Sequence, residues 1–214
     1  MIGDKLIIKD KHRRAAEQIV DRILPRLQSS SRIYTITIAG ESGSGKSETG
    51  QAVADALNRR GFKTLVLQQD DYFVHPPKTN DRTRRQDIRW VGTQEVRLDL
   101  LDEHLAQARA GAETIVKPLV VYGEDRITEE TVSLQGVAAV VAEGTYTTAL
   151  DNVDTRVFID LTYLETLQSR LERAREAQED FLEKVLEIEH RIISAHKSRA
   201  DYIVDKEYKV VTPA

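Results

Sequence analysis

The chain contains no cysteine, one tryptophan and a single methionine among 214 residues. Lack of cysteine excludes disulfides and thiolate metal sites, and it fits a cytoplasmic protein without deciding the compartment. Long hydrophobic runs are also missing. No segment approaches the roughly 20 apolar residues of a membrane span, and the N-terminal MIGDKLIIKDKHRR holds an apolar run too short for the core of a signal peptide. A cytoplasmic location with no membrane association is expected. Excess positive charge is absent as well: the net charge is -4, which gives no reason to expect a nucleic-acid partner. The five histidines show no metal-binding spacing such as H-E-x-x-H. What is present is ordinary for a globular protein, with 40% hydrophobic and 31% charged residues. No repeat and no low-complexity linker interrupts it, so residues 1–214 read as one domain.

Short apolar runs alternate with longer helix-like segments, the pattern of an α/β protein with a mainly parallel sheet and helices on both faces. Ala15, Ile19, Ile23 and Leu27 recur four apart and predict a first helix over Lys11 to Gln28, within an N-terminal extension of residues 1–32 that packs on the sheet. Strands are predicted at Ile33 to Ala39, Lys63 to Gln68, Ala138 to Ala142 and Arg156 to Ile159, with helices at Ser47 to Arg60 and Thr93 to Ala110. The C-terminal third reads as mostly helix. Leu164, Leu167 and Leu171 mark one stripe, and Phe181, Val185, Ile188 and Ile192 another, before a strand pair around Asp201 to Ile203 and Lys209 to Val211.

The stretch TITIAGESGSGKSETG fills every fixed position of G-x-x-x-x-G-K-[ST] with Gly40, Gly45, Lys46 and Ser47. A strand enters this loop and a helix leaves it, so the glycines let successive backbone N–H groups turn onto phosphate oxygens at a helix N-terminus. Gly40, Glu41, Ser42, Gly43, Ser44, Gly45, Lys46, Ser47 and Glu48 are the candidate nucleotide-binding residues. Lys46 would bridge the terminal phosphates and Ser47 would place its hydroxyl on Mg²⁺. Neither D-x-x-G nor N-K-x-D occurs, which removes the parts expected of a GTPase switch, and no two glycines are adjacent, which removes an LSGGQ-type transporter signature. A small phosphotransferase remains.

Phosphoryl transfer to a hydroxyl needs a metal between the phosphates, positive charge around the moving group, and a carboxylate beside the acceptor. In open α/β sheets ligands sit beyond the carboxyl ends of the strands. TLVLQQ ends in Asp70 and Asp71, AAVVA ends in Glu143 followed by Gly144, and RVFID ends in Asp160. Asp160 reads better as the N-cap of a helix opening at Leu161 and Thr162.

GESGSGKS, QDDYF, VVAEGTY and a late arginine-rich helix resemble, in that order, the uridine kinase and phosphoribulokinase group of P-loop kinases. The resemblance is spread over most of residues 33 to 204. It implies a P-loop kinase fold, ATP as donor and Mg²⁺ as metal, and it gives Asp70 the role of catalytic base. It makes Ser47, Asp70 and Glu143 the metal set, and it likens HKSRADYIVD to the closing segment near the nucleotide base. SRLERAREAQED resembles the arginine-bearing lid, at about residues 168–182, with Arg170, Arg173 and Arg175 as candidates. Arg170 would contact nucleotide and Arg173 would act in catalysis, although the lid is short and the arginines could instead pair with Glu172 and Glu176 as solvated helix charges.

Acceptor choice falls within about residues 70–135, where the family motifs are altered. Asp71, Tyr72, Asp87, Tyr122 and Arg126 are the candidate substrate-binding residues. Arg82, Arg84, Arg85 and Arg89 beside Trp90 form a basic patch that could read an anionic acceptor or be a solvated loop. His75-Pro76-Pro77 reads as a rigid turn. The chain is expected to phosphorylate a hydroxyl of a nucleoside- or sugar-type metabolite in the manner of uridine kinases. Nicotinamide riboside kinase-like or phosphoribulokinase-like specificity are the alternatives, as is a non-catalytic nucleotide-binding regulator. Homo-oligomerisation stays open.

Overall fold

The alternating run Tyr34–Gly40 forms strand β1, and all seven of its residues are buried. In the computed structural model, residue 1, residues 6–167 and residues 180–213 are described. A strand buried on both faces suits the middle of a parallel sheet, and β1 has parallel neighbours in β5 (Ala139–Glu143) and β6 (Thr155–Ile159). With β2 (Thr64–Gln68), β7 (Tyr202–Val204) and β8 (Val210–Val211), they form a sheet ordered β2-β5-β1-β6-β7-β8. Only β8 runs antiparallel to its neighbour.

The side-chain period of two sends alternate strand residues to two cores. On one face Ile36, Ile38 and Val141 pack with Ala15, Ile19 and Ile23 of α1 (Asp10–Gln28) and with Val53 and Leu57 of α2 (Lys46–Arg59). On the other, Leu67, Val140 and Ala142 meet Leu101 and Leu105 of α4 (Leu98–Arg109) and Ile193 of α5 (Asp180–Ser194). This is the three-layer α/β arrangement expected from the sequence. No helix among the described residues is long and apolar enough to cross a membrane.

Three elements were not expected. Helix α3 (Pro77–Gln86) begins at the proline pair read as a turn, which is consistent with proline at the first helical position, where its missing N–H costs nothing. Strands β3 (Thr114–Val121) and β4 (Arg126–Ser133) form a separate antiparallel ribbon. A two-stranded ribbon leaves each strand an open edge, so it tolerates Pro118 and the charged run in β4 that hide it from pattern reading.

Three expectations are corrected. The helix expected from Thr93 starts at Leu98, because residues 95–97 first pair with residues 72–74: Val74 N donates to Glu95 O and Arg97 N to Tyr72 O. Asp160 caps no helix; its carboxylate accepts from Lys197 Nζ at 2.7 Å, while the turn behind it is closed by Thr162, whose N and Oγ1 both donate to Glu165 Oε2. Leu164 and Leu167 are 72% and 45% exposed, so this stripe faces solvent where it is described, and Leu171 lies outside the described residues.

Candidate active site

The glycine-rich loop runs from the end of β1 into α2. Gly43 and Gly45 take φ of 76° and 87°, a left-handed backbone that glycine reaches without strain, and Gly45 is the N-cap of α2. With no capping side chain there, the first N–H groups of α2 are left to meet an anion. The loop is braced from outside. Tyr208 Oη donates to Ser44 O at 2.7 Å, Thr166 Oγ1 donates to Ser42 O at 2.8 Å, and a Cβ at Gly45 would lie 2.7 Å from Tyr208 Oη and 3.0 Å from His12 Nε2. Glu41 is buried and accepts from Tyr163 N while its other oxygen lies 2.6 Å from His190 Nδ1 on α5.

Ser47, second residue of α2, donates its hydroxyl to Glu143 Oε2 at 2.9 Å. Glu143 is the last residue of β5, and Gly50 of α2 gives it room: a Cβ there would sit 3.3 Å from Glu143 Cβ. Burial pushes the Glu143 carboxyl up to about 7, and the charges of Asp70 and Glu48 add to the rise against Lys46 and the Ser47 hydrogen bond. Glu143 and Asp70 therefore share one crowded field of negative charge at the carboxyl edge of the sheet, beside the loop. Hydroxyl and carboxylate oxygens with excess negative charge suit a hard divalent cation. No three His, Cys, Asp or Glu side chains among the described residues form a cage of their own. The Ser47 hydroxyl and the Glu143 carboxylate, with Asp70 acting on it, fit Mg²⁺, which takes one or two carboxylates and completes its shell with phosphate and water.

Asp70 lies in a single 3₁₀ turn, Gln69–Tyr72, directly after β2. The turn is clamped to the loop after β5 by Gln69, whose Oε1 accepts from Tyr146 N at 2.7 Å. Gly144 is what allows this: a Cβ there would fall 2.2 Å from Gln69 Cβ. Asp71 and Tyr72, expected at the acceptor, are instead engaged by neighbouring elements. Asp71 accepts from Val120 N at 2.9 Å and Lys117 Nζ at 2.8 Å, with the α-amino group of Met1 also against it, and buried Tyr72 Oη lies 2.9 Å from His104 Nδ1.

The other acceptor candidates scatter around the ribbon tip and α3. Asp87 faces Arg89, whose hydrogen bonds hold its carboxyl down at about 2. Arg126 is exposed and paired with Glu124, and Tyr122 is half-buried at the tip. The tip is tied to α3 because Asp125 accepts from Lys78 N, Thr79 N and Thr79 Oγ1. The expected basic patch is neutralised within itself: Arg82 lies 3.7 Å from Asp125, Arg85 pairs with Asp81, Arg89 with Asp87, and Arg84 with Glu95 and Glu189. Trp90 Nε1 donates to Asn80 Oδ1 and its ring packs near His75. Arg170, Arg173 and Arg175 lie outside the described residues. Tyr146 closes the VVAEGTY segment without having been singled out there, and Glu95, Glu189 and His190 lie in no motif, because the contacts that mark them are made across the fold.

Comparison with known proteins agrees with this geometry. The family model for the phosphoribulokinase / uridine kinase family matches residues 35–209. A bifunctional alpha-galactosidase/sucrose kinase from Mediterraneibacter gnavus is 28% identical over 189 residues, 82% of this chain, which spans only 20% of that protein's length. Among solved structures, one described as a possible uridine kinase from Bacillus stearothermophilus superposes with TM-score 0.60 at 19% identity, covering 89% of this chain and 97% of that one. D-glycerate 3-kinase from Cryptococcus neoformans gives 0.59 at 13% identity, covering 94% and 99%. The structural likenesses establish a shared fold. Because the family match runs from β1 to the turn before β8, this chain belongs to the phosphoribulokinase / uridine kinase family.

Proposed function

We propose that the chain transfers the γ-phosphoryl group of ATP, with Mg²⁺, to a hydroxyl of a small uncharged metabolite of sugar type. The observation that carries this reading is the Ser47–Glu143 hydrogen bond with Asp70 acting on the same carboxylate, beside a preformed phosphate loop. The backbone N–H groups of the loop and Lys46 hold the triphosphate. Ser47 and Glu143, with Asp70 nearby, would hold the cation, which supplies charge neutralisation between the phosphates. Asp70 orients the acceptor hydroxyl and takes its proton as that oxygen bonds to the γ-phosphorus and the bond to ADP breaks. Arg170 and Arg173 remain the candidates to cover the phosphates.

Two observations favour an uncharged acceptor. Each arginine of the patch already has a carboxylate, which leaves little positive charge for a phosphorylated sugar. The relative from Mediterraneibacter gnavus is named a sucrose kinase. The test is ADP release from ATP·Mg²⁺ across a panel of sugars, nucleosides, their phosphorylated forms and vitamins. Acceptor-stimulated release supports the kinase, whereas nucleotide binding without it across the panel would make the chain a regulatory binder.

A further inference from the structure

Three parts of the chain that the glycine-rich motif does not include hold the phosphate loop from outside. Glu41, the residue after Gly40, is 5% exposed, and other elements engage both oxygens of its carboxylate. Oε2 accepts from Tyr163 N in the segment after β6, and Oε1 lies 2.6 Å from His190 Nδ1 on α5. The Tyr163 and His190 rings themselves lie 5.8 Å apart, centroid to centroid. Thr166 Oγ1 donates to Ser42 O at 2.8 Å, and Tyr208 Oη, from the turn between β7 and β8, donates to Ser44 O at 2.7 Å.

These contacts fix which way the peptide groups of the loop face. In a trans peptide the C=O and the following N–H point in opposite directions, and no peptide among the described residues is cis. With Ser42 O turned to Thr166, the Gly43 N–H points away from Thr166. With Ser44 O turned to Tyr208, the Gly45 N–H points away from Tyr208. Ser44 N donates to Glu41 O at 3.1 Å and closes the turn between them. The carboxylate of Glu41 is at odds with a triphosphate, since like charges repel. Its two bonds to donors outside the loop offset that repulsion and anchor the loop at the same time.

We propose that Glu41 is a positioning residue of the donor site: through Tyr163 and His190 it fixes the loop on the segment after β6 and on α5. Together with Thr166 and Tyr208 it holds the Gly43 and Gly45 N–H groups toward the triphosphate before ATP arrives. The inference rests on the reading of the loop as a triphosphate site. Donors set in place beforehand need no reorganisation when the anion binds, so the braces act on affinity through the backbone alone. Coulomb's law by itself gives the reverse sign for Glu41, because removing a negative charge beside a triphosphate would tighten binding.

The test measures binding of β,γ-methylene ATP with Mg²⁺, and of inorganic tripolyphosphate with Mg²⁺, by calorimetry at pH 8. It compares the full chain with Glu41→Ala, Glu41→Gln, Thr166→Val and Tyr208→Phe, alongside thermal unfolding. The Kd of both probes should rise about tenfold in Glu41→Ala, which loses two bonds, and about three- to tenfold in Thr166→Val and Tyr208→Phe, which lose one each. Glu41→Gln should bind at least as tightly as the parent, since its amide can accept from Tyr163 N and donate to His190 Nδ1. Tighter binding by Glu41→Ala, or an equal loss in both Glu41 variants, overturns the proposal. So does a lowered Tm with unchanged Kd in Glu41→Ala, Thr166→Val and Tyr208→Phe, which would show bonds that serve the fold alone. A loss confined to the ATP analogue, with tripolyphosphate unaffected, places the effect at the nucleoside and overturns it as well. If Glu41→Ala does not fold, the two hydroxyl deletions carry the same test. Failure of the parent chain to bind either probe defeats the triphosphate reading itself, before a variant is made.

Discussion

Lys117 Nζ lies 2.8 Å from Asp71 Oδ2, and both side chains are almost wholly buried. Adjacent aspartates therefore sit in different surroundings: Asp71 ties the β3–β4 ribbon to the turn after β2, and the charge of Asp70 acts on Glu143. Asp71→Ala leaves buried Lys117 with only the half-exposed Glu130 carboxylate, 3.4 Å away, which costs about 3–5 kcal/mol, and adding Lys117→Met should restore much of it. Urea unfolding of the single and double variants checks this; equal loss in both would show that the pair is not coupled.

Gly144 predicts a steric effect that bears on activity. The Cβ of Gly144→Ala meets Gln69 Cβ at 2.2 Å, so the Asp70 turn must move, at a cost of about 1–3 kcal/mol or more. Gly123→Ala has open space and should stay within about 0.5 kcal/mol. Unfolding and turnover measured together should show both losses in the first variant and neither in the second.

Glu143→Gln separates stability from catalysis. With its carboxyl raised to about 7 by burial and then by Asp70, native Glu143 keeps a proton that the unfolded chain has already released. Stability from this group is present at acid pH and lost as pH rises through about 7. In metal-free buffer at pH 8 the glutamine variant should gain up to about 3 kcal/mol over the parent, because a neutral amide can still accept from Ser47. Phosphoryl transfer should drop by roughly 100-fold or more as the cation loses a ligand. A variant less stable than the parent at pH 8 would contradict the assignment of charge strain to this carboxyl.

His104 sets a second pH dependence of opposite sign. Burial lowers its pKa, and Lys117 and Arg97 add to the effect against Glu103 and a backbone hydrogen bond with Val116. As pH falls below the ordinary histidine value of about 6.5, the unfolded chain takes up a proton that the native one resists, so stability falls. His104→Asn keeps a polar partner for Tyr72 Oη and cannot titrate. Between pH 7.5 and 5.5 the parent should lose more Tm than the variant; parallel curves would assign the acid sensitivity elsewhere.

Much of the donor half was legible because its parts are contiguous or fall at strand ends. Gly40 to Ser47 is one unbroken stretch of sequence, and Asp70 and Glu143 stand at the ends of the apolar runs that form β2 and β5. The acceptor half was not legible, because its contacts are made across the fold. Arg84 of α3 joins Glu95 to Glu189 about a hundred residues away, a pairing that no local period encodes. The same holds for Asp71 with Lys117, where the ribbon carrying the lysine was hidden by Pro118 and the acidic run of β4. Arginines that looked like an anion site in sequence proved to be matched once Asp81, Glu95, Asp125 and Glu189 folded around them.

The most direct measurement is transfer of labelled γ-phosphate from ATP to the best acceptor by the parent chain, Asp70→Asn and Asp71→Asn, with the product identified by mass spectrometry. Asp70→Asn should lose about 100-fold or more in kcat while the KM for ATP stays near that of the parent, and Asp71→Asn should keep transfer in whatever fraction remains folded. Near-normal transfer by Asp70→Asn, or no phosphorylated acceptor formed by the parent chain, would contradict the account.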